Sequence, residues 1–228
     1  MQSPISLSDK QARLIQQHLD LVLKANELVN LTRIQDKEEA ELLHVEDSLQ
    51  GIPECVEAPA GRYADLGSGG GFPGFAVAVV TGRDTLLVES VKKKTELLAL
   101  FADELGLADA IQVYGHRAEE LALEAPESFA LITARALTAL PSLIELASPL
   151  LIPGGRLVAY KADNVDDELD WAVSIQEKLG MKMISNRKLM LSDGETPRRI
   201  IVFEKVSDPQ VKLPRRPGMA QKRPYKAK

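Results

Sequence analysis

The chain has 228 residues, 45% hydrophobic and 27% charged, with a formal net charge of −5. That length supplies one sizeable core, and with Cys55 as the single cysteine it excludes a disulfide-stapled miniprotein. No apolar stretch reaches the roughly 18 residues of a bilayer span, and the first residues lack the basic start and apolar block of a secretory signal, so a cytoplasmic chain with no membrane partner is expected.

Residues 1–57 read as a helical N-terminal extension. Ser8 and Asp9 can cap a segment in which Leu14, Ile15, Leu19, Val22 and Leu23 recur at helical spacing. Asn30 to Arg33 reads as too polar and too short for core. Asp36 signals a second helix over Lys37 to Leu49, with Leu42, Leu43, Val45 and Leu49 on its apolar side, and Gly51 and Pro53 stop it.

Residues 58–206 change period and form the expected main domain. Strands at Arg62–Asp65, Thr85–Val88, Ala110–Tyr114, Phe129–Thr133 and Gly155–Tyr160 alternate with helices near Gly74–Val80, Lys92–Leu105, Ala118–Leu123, Leu140–Leu150 and Val165–Leu179. Such alternation predicts a parallel sheet covered on both faces. Two last strands, Lys182–Leu191 and Arg198–Lys205, flank a Ser-Asp-Gly-Glu-Thr-Pro turn and predict a terminal antiparallel hairpin. Residues 207–228 read as an extended basic tail. The last seventeen residues hold seven Lys or Arg and no acid, which leaves residues 1–211 at a net charge of −12. The asymmetry suits a tail that binds a polyanion, or a merely solubilising terminus.

The most informative segment joins the first strand to its helix. Asp65 ends the strand, Gly67, Gly69, Gly70 and Gly71 fill the turn, and Pro73-Gly74 opens the helix. Backbone must approach a ligand closely there, and the free N–H groups of the helix start suit a carboxylate or phosphate. Two registers coexist. Gly69 to Gly74 satisfies G-x-G-x-x-G with Glu89 eighteen residues beyond Gly71, the dinucleotide pattern of an oxidoreductase. Asp65, Gly67 and Gly69 give D-x-G-x-G instead, and the closing hairpin without a second domain favours this register. No G-K-[ST] follows, so a P-loop is excluded.

The D-x-G-x-G register, the acid after strand two and the hairpin together resemble the class I S-adenosylmethionine-dependent methyltransferases, an α/β Rossmann-like fold with a mostly parallel seven-stranded sheet. The resemblance places Gly67, Gly69 and Gly71 against the methionine moiety, with Asp65 and Ser68 in the same cofactor-binding loop, and gives the ribose hydroxyls to Glu89. Finer motifs are Asn30-Leu31-Thr32, His44-x-x-Asp47-Ser48, Phe72-Pro73-Gly74, Ala134-Arg135-Ala136, Lys161 and Pro214-Arg215-Arg216-Pro217-Gly218. In this order they resemble the GidB family of bacterial methyltransferases, which modify guanine N7 in 16S ribosomal RNA of the small subunit. The resemblance implies cofactor contacts at Gly67, Phe72, Glu89, Ser90, Ala118, Glu119 and Arg135, and 16S ribosomal RNA or the small subunit as partner of a monomeric enzyme. Departures from the family pattern are Val45-Glu46 for Leu-Leu, Ala134 for Ser and Ala162 for Gly.

The chemistry agrees with what the chain lacks. Cys55 precedes strand one, away from the strand ends where a cytosine-C5 nucleophile belongs, and no Asp/Asn-Pro-Pro-Tyr of an adenine-N6 enzyme follows strand four. Guanine N7 carries a lone pair and no proton, so transfer to it needs alignment more than a base. Arg135 and Lys161, at adjacent strand ends, are the catalytic candidates, orienting guanine through O6 or gripping a phosphate. The plainer reading of Arg135 is an ion pair with an acid such as Glu119. RNA-binding candidates are Asn30, His44, Asp47, Lys92, Arg215 and Arg216, although His44 and Asp47 also suit a structural hydrogen-bond cluster. His18, His44 and His116 are scattered, and no metal site is expected.

Overall fold

A computed structural model describes residues 6–27, 29 and 31–226. Five strands, β1 (Tyr63–Leu66), β2 (Thr85–Val88), β3 (Ile111–Tyr114), β4 (Phe129–Arg135) and β5 (Leu151–Ala162), run parallel. The hairpin of β6 (Met181–Met190) and β7 (Pro197–Lys205) closes the sheet antiparallel, giving the order β3-β2-β1-β4-β5-β7-β6. This is the seven-stranded, mostly parallel sheet expected. The chain turns outward in opposite directions from β1 and β4, so a crevice opens at their carboxyl ends, where open α/β sheets bind ligands. Register aligns those ends: Leu66 sits beside Val88 and Ala134.

The strand β5 begins four residues earlier than expected. Leu151 already pairs with Phe129, ahead of Pro153-Gly154, before an irregularity restores register at Leu131 and Arg156.

Helices cover both faces. On one, α1 (Asp9–Asn26), α5 (Gly74–Thr81) and α6 (Lys92–Glu104) pack Leu19, Val22, Phe75 and Phe101 into a shared cluster. On the other, α7 (Ala118–Glu124), α8 (Leu140–Ala147) and α9 (Asp166–Ile175) bury Leu121, Leu143, Ile144 and Ala172 against Ile132 and Leu157. Ser8 caps α1 through a capping box with Gln11.

The second N-terminal helix spans the expected range but is not uniform. Asp36 caps α2 (Lys37–Ala40), which continues through π-helical turns at Glu41–Glu46 into α3 (Asp47–Leu49). Pro53 does not end a helix. It opens α4 (Ile52–Glu57), where its missing N–H costs nothing. Leu31 is buried against the α1 cluster, so at Leu31–Arg33 the chain does contribute to the core.

The basic terminus also departs from the extended tail expected. It turns back over α8 and forms α10 (Met219–Lys222), with Ala220 buried. The reason is charge: Glu145 on α8 is 3% exposed and takes both arms of the Arg215 guanidinium at 2.6 Å. An acid this deep without a partner would cost several kcal/mol, on the order of the loss measured for broken buried pairs.

Candidate active site

The glycine loop leaves β1 with Gly67, Gly69 and Gly71 at φ of +72°, +57° and +95°, conformations that side chains rarely adopt. At Gly71 a Cβ would also lie 2.8 Å from His18 Nε2. That imidazole, on α1, sits 3.0 Å from the Gly70 carbonyl and stacks on Phe75. A carbonyl only accepts, so Nε2 carries the proton, and burial pulls the His18 pKa down to about 3. The N-terminal extension thus holds the loop directly.

Asp65 lies beneath the loop. Its Oδ1 accepts from the Thr133 hydroxyl at 2.6 Å, Oδ2 faces Gly74 at the start of α5, and burial pushes its pKa up to about 6. Ser68 donates its hydroxyl to the Asp65 carbonyl at 2.9 Å.

A cavity of about 360 Å³ opens above this loop. Its walls include Gly67, Ser68, Gly69, Gly70, Phe72, Glu89, Ser90, Ala118, Glu119 and Arg135. Glu89 Oε2 accepts from the Gly69 N–H at 3.0 Å and Oε1 from the Val91 N–H at 2.8 Å. Each oxygen keeps a lone pair for a ligand. Glu119 Oε1 accepts from the buried Gly218 N–H at 2.7 Å. The cavity therefore sets a fixed carboxylate beside the loop and a second one on α7.

A second cavity of about 550 Å³ adjoins the first and shares His44, Arg135 and Ala136 with it. Arg135 ends β4 and is clamped by the π-helical turns and the start of α3: Nη1 donates to the Leu43 carbonyl at 2.9 Å and to Asp47 Oδ2 at 3.0 Å. Nη2 lies 3.4 Å from His44 Nδ1, and His44 Nε2 lies 3.1 Å from the Thr32 hydroxyl. Because Arg only donates, His44 is protonated on Nε2; burial, then the Arg135 charge, lowers its pKa to about 4. Asp47 also accepts from Arg198 at 3.2 Å. Lys161 Nζ reaches Glu168 at 2.7 Å and the Thr138 carbonyl at 3.2 Å, at the wall of the second cavity. Ala136 separates the two cavities with a φ of +53°, a strained backbone of the kind functional sites retain.

Most residues singled out from sequence meet here, with specific differences. Asp65 supports the loop from below and Gly71 packs against His18 and Phe75, so neither lines the cavity, whereas Gly70 does. The partner of Arg135 is Asp47, not Glu119, because the second helix reaches across the mouth. His44 lies at the boundary of the cavities, and Asp47 lines the second cavity. Lys92 is solvent-exposed near Glu96, and it is Lys94 that lines the cavity. Arg215 is turned inward to Glu145 while Arg216 is exposed. Asn30 lies outside the described residues. Sequence reasoning missed His18 and Gln221 as site residues, and named Thr32 and Ala136 as motif positions without giving them a place in the site. His18 shares the apolar face of Ile15, Leu19 and Val22, and that placement was the available signal. Cys55 is buried against Tyr160 and Val158, lines neither cavity, and its thiol pKa is pushed up by burial.

Comparison with known proteins agrees with this geometry. Residues 11–193 match the family model described as GidB, rRNA small subunit methyltransferase G. Ribosomal RNA small subunit methyltransferase G of Streptococcus sanguinis is 36% identical over 230 residues, covering 98% of this chain and 95% of that protein. The protein of that name from Streptococcus suis is 34% identical over 224 residues, covering 96% and 94%. Among solved structures, the O-methyltransferase from Bacillus cereus in complex with SAH superposes with a TM-score of 0.59 at 17% identity, covering 82% of this chain and 90% of that one. TrmN from Thermus thermophilus gives 0.52 at 22% identity, covering 70% and 48%. The fold is that of the class I methyltransferases, and with a family match across the sheet and relatives spanning nearly its whole length, the chain belongs to the GidB family of small-subunit ribosomal RNA methyltransferases.

Proposed function

We propose that the chain transfers the methyl group of S-adenosylmethionine to N7 of a guanine in 16S ribosomal RNA, acting as a monomer in the cytoplasm on RNA or the small subunit. The observation that carries this is the shared wall of the two cavities at His44, Arg135 and Ala136. One cavity holds the donor and the other admits the base.

The donor cavity fits the cofactor by the chemistry of its walls. Glu89, fixed by two backbone N–H groups, keeps lone pairs for the ribose hydroxyls. The Gly67–Gly70 backbone and Phe72 accommodate the methionine moiety, and Ala118-Glu119 the adenine. The sulfonium supplies an electrophilic methyl group. The chain then has to exclude water and aim a lone pair, and no side-chain nucleophile is required.

Arg135 and Lys161 line the acceptor cavity with cationic donors. Donation to guanine O6 or to a neighbouring phosphate leaves N7 free, whereas bidentate O6/N7 pairing would block it. Transfer from labelled S-adenosylmethionine to small subunits lacking the modification, followed by nucleoside mass spectrometry, tests the reading. It predicts 7-methylguanosine at one site; another methylated base, or none, contradicts it.

A further inference from the structure

The basic terminus reaches the donor cavity. Gln221 of α10 lines its wall together with Glu119, Leu146 and the glycine loop. The segment carrying it is fixed at four points: Gly218 N–H to Glu119 at 2.7 Å, Arg215 to Glu145 at 2.6 Å, Ser142 Oγ to the Ala220 carbonyl at 2.7 Å, and Trp171 Nε1 to the Tyr225 carbonyl at 2.6 Å. Gly218 takes a φ of +78°, which brings its N–H onto the carboxylate. Arg215 is further covered by the Tyr225 ring at 4.2 Å. These anchors consume the one basic group of the segment that faces inward.

We propose that residues 212–226 form a strap that completes the cofactor cavity, with Gln221 as the residue that reads the edge of the adenine. The proposal rests on the assignment of this cavity to S-adenosylmethionine. A Gln amide presents a donor beside an acceptor, the pattern that matches the N6/N7 edge of adenine. Glu119 has one oxygen engaged by Gly218, so its other oxygen and the Gln221 amide are available to a ligand there, beside His116 and Arg117 on the same wall. The strap thereby acts in cofactor recognition, and the positive charge of Arg215 in anchoring it.

The test is calorimetric titration of S-adenosylhomocysteine, and of its inosine counterpart, into the full chain, Gln221→Ala and a chain ending at residue 211. The full chain is expected to prefer the adenine form. Gln221→Ala should bind S-adenosylhomocysteine about threefold to tenfold more weakly, reduce that preference, and melt at the same temperature as the full chain. Truncation should weaken binding by at least about tenfold. In addition, saturating S-adenosylhomocysteine should slow tryptic cleavage after Arg215 and Lys222, basic residues of the strap that no proline follows. Should the truncated chain not fold, Gln221→Ala decides alone. Unchanged affinity and unchanged discrimination in Gln221→Ala overturn the proposal, and a tail whose loss lowers only salt-dependent RNA affinity is an RNA arm instead. Absence of binding to the full chain rejects the cofactor assignment itself, a separate outcome.

Discussion

His44 lies flat against Phe72, with ring centroids 5.0 Å apart and planes 7° from parallel. The contact joins the π-helical turns of the N-terminal extension to the glycine loop, and His18 approaches Phe72 from α1 at 4.4 Å. Phe72 is therefore held between two imidazoles. His44→Phe keeps an aromatic stack while losing the bonds to Arg135 and Thr32, so it should retain S-adenosylhomocysteine affinity within about twofold and still lose turnover. His44→Ala removes both and should weaken binding by about threefold to tenfold. Equal behaviour of the two variants in calorimetry would separate the stack from the loop.

Arg135 and Asp47 form a pair of which Asp47 is buried and also engages Arg198. Removing Asp47 leaves the largely buried Arg135 without its carboxylate, and removing Arg135 leaves Asp47 with Arg198 as its remaining charged partner. A denaturant double-mutant cycle over Arg135→Ala and Asp47→Ala should give a coupling energy on the order of 2 kcal/mol. Additive effects would mean that Arg198 alone satisfies Asp47. Methyl transfer by Arg135→Ala should fall at least about 100-fold, since the same guanidinium borders both cavities.

The alternation of short strands with helices was legible because each strand and helix carries its own hydrophobic period, and the glycine loop was legible because backbone conformations such as that of Gly71 are written in residue type. What escaped depends on contacts distant in the chain. Arg215 meets Glu145 across 70 positions and Arg135 meets Asp47 across 88, so neither a folded-back terminus nor a clamped arginine is encoded locally. The π-helical turns escaped for another reason. Their side chains obey the same apolar spacing as an α-helix, and only the extra residue per turn distinguishes them.

His18 gives the extension a pH signature. Its folded pKa of about 3 lies below the ordinary 6.5, so below pH 6.5 the unfolded chain takes up a proton that the folded chain refuses. This contribution therefore weakens as pH falls from 6.5 towards 3, by about 2 kcal/mol at pH 5. Asp65 acts oppositely between pH 6 and its ordinary 3.8, since the folded chain there holds a proton that the unfolded chain releases. His18→Gln, which can still donate to Gly70, isolates the histidine. Urea unfolding at pH 7 and pH 5 should shift the stability difference by about 2 kcal/mol against the wild type; a constant difference would show that His18 titrates normally.

Glu89 is the residue on which the donor cavity turns, because its carboxylate ties the glycine loop to the end of β2 and lines the cavity. The most direct measurement is calorimetric titration of S-adenosylhomocysteine into the wild type and Glu89→Ala, with unliganded melting curves as the control for folding. Loss of charge-assisted hydrogen bonds to two hydroxyls should weaken binding about 10- to 100-fold. Equal affinity in a folded Glu89→Ala, or no binding to the wild type, would contradict the account.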